Sequence, residues 1–331
     1  MIDASVRTLA YDVNGEPWDV VRVVERPPER PGPGQVLVAL EAAPLHIADL
    51  KAIRGDLPFA PKGPGIPGFE GVGRILALGE GVTGWNVGDR VILPLCYGAC
   101  RERLNVPAQG LWCAPADAPA EQLALVRVNL TTAYMLLHAY ADLQPGDWIL
   151  QNAANSNVAG YVALLAEQLG VNVINLVRRP ELVPAIKSAG REHVMLDDPA
   201  SIGAICAELG IRPRLALDAI GGGATERMAA AVADDGLVLA YGFVSGEPYR
   251  IHYDDAMFRN VRLEVMTITQ ATKIMSGDDL QTMAERLQAF IAAAPLNAQI
   301  AGIYPFDQAA EALRMAAQTG AGRSGKVILV P

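Results

Sequence analysis

The chain has 331 residues, 51% hydrophobic and 19% charged, which excludes a disordered protein and allows about two domains with sizeable cores. Its net charge of −9 and pI near 5.0 exclude nucleic acid and anionic membrane as main partners. No apolar run approaches the ~20 residues of a membrane span. The opening MIDASVRTLAYDVNGEPW lacks a signal-peptide pattern, and four cysteines are too few for a disulfide framework. The expectation is a cytoplasmic protein acting on a small molecule. Cys96, Cys100, Cys113 and Cys206 contain no C-x-x-C pair, so they read as packed thiols and no metal site is expected.

The first ~125 residues are β-like. QVLVALEAA (35–43), GVGRILALG (71–79) and DRVILPL (89–95) are short apolar runs between turn signals such as RPGPG (30–34) and PAQG (107–110). Pro58, Pro61, Pro64 and Pro67 make the 55–71 stretch a loop. Residues 121–143 then have helical spacing and end before QPGD. Strands alternate with helices beyond that point. WILQ (148–151) precedes a helix over 158–169, and VNVINLV (171–177) precedes ELVPAIKSAG. HVMLDD, LALDAI (215–220) and LVLAYGF (237–243) continue the strands. This alternation predicts a parallel, doubly wound sheet. The chain closes with a helix over 279–294, a strand NAQIAGIYP, a helix DQAAEALRMAAQTG and a strand KVILVP.

The turn after WILQ carries the first chemical signal. A pyrophosphate sits at a helix amino terminus, where unpaired N–H groups and the positive dipole end face it. Such a turn favours glycine, yet this one reads AANSNVAG, with Asn155, Ser156, Asn157 and Val158 as the candidate phosphate contacts. Any α/β domain contains similar turns, so the motif alone is a weak pointer. About 20 residues on, an NAD site places an acid at the end of the second strand. This chain places Arg178 and Arg179 there, and guanidinium groups suit the 2′-phosphate of NADPH; the alternative is a pair of solvated surface arginines.

At this point the chain resembles the medium-chain dehydrogenase/reductase superfamily over essentially its whole length. The likeness is to the zinc-free branch of quinone reductases and mitochondrial-type 2-enoyl thioester reductases. It rests on PLHIADLKAIRGD (44–56), PGFEGVGRILALGEGVTGWNVGDRVI (67–92), VNLTTAYMLL (128–137), LQPGDWILQNAANSNVAG (143–160), LALDAIGG (215–222) and SGKVILV (324–330). The resemblance implies a Rossmann domain over 126–267 and a β-rich GroES-like catalytic domain built from 1–125 and 268–331. It implies NADPH as cofactor, with Thr132 and Tyr241-Gly242 near the nicotinamide and Lys326 among the cofactor contacts. Gly221 and Gly222 read as cofactor-facing turn glycines or as helix caps. A homodimer through the edge strand near 237–267 is also implied.

The departures from that family set the expected chemistry. Zinc-dependent members carry a GHE motif where this chain has Gly68-Phe69-Glu70, so Lewis-acid alcohol oxidation is not expected. Enoyl thioester reductases place a tyrosine where an ungapped alignment puts Leu57, and an asparagine where this chain has His46. Their aromatic pocket segment is MTITQA (266–271) here. His46 is the candidate to polarise the acceptor, with Tyr97 as a second candidate acid; loop packing is the bland reading of each. The reading is an NADPH-dependent, zinc-free oxidoreductase that delivers hydride to the C=C of an α,β-unsaturated carbonyl compound or to a quinone. The alternatives are a 2-enoyl-CoA/ACP reductase with a modified site, or a non-catalytic NADPH-binding relative.

Overall fold

The computed structural model describes residues 4–57, 62–95, 98–293, 296–318 and 325–331. Cys96, Tyr97, positions 58–61 of the proline-rich loop, and positions 294, 319 and 320 at the ends of two expected helices lie outside the described residues. The chain divides into two compact units, Met1–Val128 with Ala284–Pro331 (unit 1) and Asn129–Met283 (unit 2).

The amino-terminal part of unit 1 holds β1 (Val6–Ala10), α1 (Pro17–Val20), β2 (Arg22–Arg26), β3 (Gln35–Leu45), α2 (Ile47–Arg54), β4 (Val72–Leu78), β5 (Arg90–Ile92), β6 (Arg103–Pro107), β7 (Trp112–Cys113) and α3 (Ala120–Leu123). Helix α4 (Val126–His138) leads into unit 2. The apolar run over 121–143 is therefore two helices, not one. The second stops at His138, whose ring stacks on Tyr134 and whose Nδ1 meets the Tyr134 carbonyl at 2.8 Å. That contact satisfies a last-turn carbonyl.

Unit 2 continues with β8 (Trp148–Gln151), α5 (Asn157–Gln168), β9 (Asn172–Val177), α6 (Leu182–Ser188), β10 (Val194–Leu196), α7 (Pro199–Leu209), β11 (Leu215–Asp218), α8 (Gly223–Ala231), β12 (Leu237–Ala240), α9 (Tyr253–Phe258), β13 (Arg262–Val265), α10 (Ile268–Ile274) and the start of α11 (Gly277–Ala293). Its six strands run parallel in the order β10-β9-β8-β11-β12-β13. Counted from β8, that order is the 3-2-1-4-5-6 of a doubly wound dinucleotide fold. Strands β11 and β12 are buried along their whole length, as a parallel sheet covered on both faces requires. Leu150, Ile174, Leu176, Ala216, Met228 and Val238 form its core.

The carboxyl-terminal part returns to unit 1 as β14 (Ile300–Pro305), α12 (Ala309–Ala317) and β15 (Lys326–Val330). Strand β15 pairs antiparallel with β3, so the carboxyl-terminal strands join β3–β7 in one seven-stranded sheet, while β1 and β2 form a separate antiparallel pair. Phe306 and Leu313 pack with Val36, Val38, Leu45 and Val327 in the core beneath it. Among the described residues no helix is long and apolar enough to cross a membrane.

Candidate functional site

In unit 2 all the candidate cofactor residues except Thr132, which is on α4, follow the carboxyl ends of β8, β9, β11 and β12, where a doubly wound sheet binds its ligand. The turn leaving β8 keeps its shape with little glycine. Ala153 takes φ +47°, a left-handed conformation that glycine adopts without penalty. Ser156 then caps α5, its hydroxyl accepting from the Ala159 N–H at 3.2 Å. Asn155 is exposed, Val158 is half-buried, and Asn157 buries an Nδ2 that has no partner.

Beneath the turn lies a buried polar network. Asn152 donates to Asp218 at 2.6 Å and accepts from the Ala219 N–H at 2.8 Å, joining the ends of β8 and β11. The other Asp218 bonds come from Ile220 N–H, Gly221 N–H and the Thr225 hydroxyl. These bonds hold the Gly221-Gly222 turn, whose φ values are +85° and +64° and whose second residue is the N-cap of α8. Gly222 thus has helix-cap duty at the amino end of the helix. A Cβ on Gly242 would lie 2.4 Å from the Ala219 carbonyl oxygen, so glycine lets the β12 end approach that of β11.

Tyr241, beside Gly242, buries its hydroxyl; burial and then the Asp218 charge push this phenol up, and Ser156 offsets part of the rise. Ser156 is near it, yet no partner of ordinary hydrogen-bond geometry meets the Tyr241 oxygen. Thr132 is buried on α4, and the adjacent Thr131 hydroxyl is buried without a partner. Arg178 is exposed just past β9, and Arg179 lies 3.7 Å from Glu181. A capped helix amino terminus, two orphaned polar atoms (Asn157 and Tyr241) and two arginines make up a donor set that fits a phosphorylated dinucleotide.

Unit 1 assembles a second cluster, centred on His46 at the start of α2. Asp49, in the first turn, accepts from the His46 N–H at 2.8 Å and from the Gly68 N–H at 2.8 Å. One carboxylate thereby fixes both His46 and the segment that carries Glu70. Burial pushes the Asp49 carboxyl up, opposed by His46 and by these two N–H groups. His46 Nε2 lies 2.6 Å from Glu70 Oε1, and Lys326 Nζ lies 3.2 Å from His46 Nδ1. An ammonium can only donate, so Nδ1 accepts and Nε2 carries the proton given to Glu70. The second Glu70 oxygen accepts from the Val128 N–H at 2.7 Å. Arg127 stacks on Trp112 at 3.7 Å, and burial, opposed by Glu70, pulls its guanidinium down to about 10.

The sequence-predicted residues thus fall into two groups. Thr132, Asn155–Val158, Arg178, Arg179, Gly221, Tyr241 and Gly242 belong to unit 2. His46 and Lys326 belong to unit 1, where Lys326 lies against the histidine ring. Leu57 is buried and can give no proton. Residues that sequence reading missed are Asn152, Asp218, Asp49 and the role of Glu70. All four lie inside runs quoted for the resemblance, but the contacts that give Asn152 and Glu70 their roles, to Asp218 and to His46, span 66 and 24 residues.

Residues 32–126 match the family described as the alcohol dehydrogenase GroES-like domain. The chain is 31% identical over 318 residues to the mitochondrial enoyl-[acyl-carrier-protein] reductase of Homo sapiens, covering 94% of this chain and 85% of that protein. A mycobacterial quinone oxidoreductase of known structure is similar at 26% identity and TM-score 0.84, covering 98% of this chain and 100% of that one. A mycobacterial protein complexed with NADPH is similar at 26% identity and TM-score 0.83, with the same coverage.

Proposed function

The chain belongs to the medium-chain dehydrogenase/reductase superfamily, in its enoyl reductase branch, and from that premise we propose that it is a zinc-free, NADPH-dependent reductase of activated C=C bonds or quinones. The observation that carries this reading is the 3-2-1-4-5-6 sheet with its capped α5 and with Arg178 and Arg179 past β9. The arginines supply planar, charged donors for a 2′-phosphate. NADPH, when bound, supplies the hydride. The protein holds the nucleotide, orients the acceptor and provides the proton that balances the reduction.

Unit 1 holds the groups for that last task. Both His46 ring nitrogens are engaged, so His46 serves to position Lys326. The Lys326 ammonium is the proton-bearing group of the cluster, held against the His46 ring that Glu70 fixes from its other side. Reduction of the C=C then adds hydride at the β-carbon and a proton from Lys326 at the enolate, after which solvent reprotonates the amine. A zinc ion has no part in this reading, because Gly68-Phe69-Glu70 replaces the histidine-bearing motif of the zinc-dependent members.

Reduction of a 2-enoyl thioester is the second reading, favoured by the enoyl-[acyl-carrier-protein] reductase relative. Buried Leu57 in place of the tyrosine ranks it below an enone or quinone acceptor. A homodimer along β13 completes the proposal: β13 is the edge of its sheet, and the nearby Met257 and Phe258 are 72% and 73% exposed. Light scattering on the purified protein tests that assembly. Oxidation of NADPH with a 1,4-quinone, an enal and a crotonyl thioester tests the activity. Turnover is expected with the first two. Tight NADPH binding without turnover of any acceptor returns the chain to a nucleotide-binding role.

A further inference from the structure

Arg191, in the segment between α6 and β10, has no place in the scheme above. Its Nη1 donates to the carbonyl of Ala154, in the middle of the turn that leaves β8. Its Nη2 lies 3.2 Å from the point a Cβ on Gly160 would occupy, in the first turn of α5. The guanidinium is half-buried, and burial pulls it below the usual arginine range. Among the described residues no carboxylate pairs with it. A partly desolvated cation without a counter-charge is costly, and this one also faces the positive end of a helix, where cations are disfavoured. An arriving anion reverses both terms.

The position selects the anion. The Ala154 N–H donates to the Leu176 carbonyl at 3.1 Å, which fastens the turn to the carboxyl end of β9. Arg178 and Arg179 follow two and three residues after Leu176. In a doubly wound fold the end of the second strand reads the adenosine ribose at its 2′ position, whereas the pyrophosphate lies over the helix amino terminus. Arg191 stands where the two meet, on the β9 side of the turn.

The geometry points to Arg191 as a third arginine of the 2′-phosphate site and a determinant of NADPH over NADH. Held through Nη1 by the Ala154 carbonyl, it presents its remaining N–H groups in a fixed orientation, as a solvated surface arginine does not. This assignment rests on the NADPH reading of Arg178 and Arg179.

The test is calorimetric binding of NADPH, NADH, 2′,5′-ADP and 5′-AMP to the full chain, without turnover. Wild type, Arg191→Gln, Arg191→Lys and the double variant Arg178→Ala/Arg179→Ala are compared, with thermal unfolding as a control for folding. Arg191→Gln is expected to weaken NADPH and 2′,5′-ADP about ten- to hundredfold and to leave NADH and 5′-AMP unchanged. Arg191→Lys keeps the charge but loses the fork, so its loss should be intermediate. Equal weakening of NADPH and NADH makes Arg191 a prop for the turn and overturns the assignment, as does unchanged binding of all four. If wild-type protein binds 2′,5′-ADP no better than 5′-AMP, the NADPH reading itself fails. If wild type discriminates and Arg191→Gln discriminates equally, Arg191 alone is excluded.

Discussion

Asp218 of unit 2 and Glu70 of unit 1 are both fully buried carboxylates, yet they are held by different kinds of partner. The Asp218 oxygens meet two backbone N–H groups, the Asn152 amide and the Thr225 hydroxyl, none of which changes charge near neutral pH. Glu70 meets one backbone N–H and the imidazole of His46, which in turn faces the Lys326 ammonium. The first arrangement fixes backbone: it ties the ends of two strands and shapes a glycine turn. The second couples a buried charge to groups that can exchange protons. Burial alone therefore does not mark a catalytic carboxylate; the titratability of its partners does.

That contrast is most easily broken at Asp218. Asp218→Ala leaves its donors without an acceptor inside unit 2, at about 1–3 kcal/mol for each donor that water cannot reach. The expected result is a large fall in the urea midpoint of unfolding. A near-native midpoint would show that the network is not the scaffold described.

Changes in the unit 1 cluster should instead alter rate. Lys326→Met is expected to lower kcat about 10²-fold, the contribution of a positioned general acid, with little change in NADPH affinity. Glu70→Gln keeps the shape and removes the charge. That weakens the hold of residue 70 on the imidazole that positions Lys326. A fall in kcat smaller than that of Lys326→Met is therefore expected in Glu70→Gln. Unaltered kcat in both variants assigns the cluster to packing. A smaller effect, confined to the nucleotide, is expected of Arg178→Ala/Arg179→Ala: the KM for NADPH should rise about tenfold or more while that for NADH stays constant. Equal changes for both nucleotides would remove the 2′-phosphate assignment.

The elements were legible because their signals are local. WILQ is read as a strand and is β8 to the residue, and the alternation after it suffices for a parallel doubly wound sheet. The boundary errors are also local: the 121–143 run breaks at Ala124-Leu125 and its second helix ends at His138, neither of which hydropathy spacing reports. The phosphate turn and Arg178–Arg179 were legible as candidates because strand, turn and strand end follow each other in sequence. The cluster chemistry was not. His46 and Glu70 are 24 residues apart, Lys326 is 280 from His46, and Arg191 is 37 from Ala154. Only the fold brings those groups together, and only contact shows that both His46 nitrogens are already engaged.

The smallest expected effect concerns the turn that lacks glycine. Ala153 holds φ +47° at the position where phosphate-binding turns commonly carry glycine. An L-residue pays about 1–2 kcal/mol there, whereas glycine adopts the conformation freely but gives up about 0.5–1 kcal/mol of unfolded-state entropy. The two terms nearly cancel, so Ala153→Gly is expected to raise stability by about 1 kcal/mol or less. The Asn152–Asp218 bond and the Ser156 cap hold the turn from both ends, so its geometry should persist and NADPH affinity should stay within about twofold. A clear loss of affinity with retained stability would show that the methyl group of Ala153 contacts the nucleotide. A clear loss of stability would show that Ala153 packing, and not the left-handed backbone, decides the residue at this position.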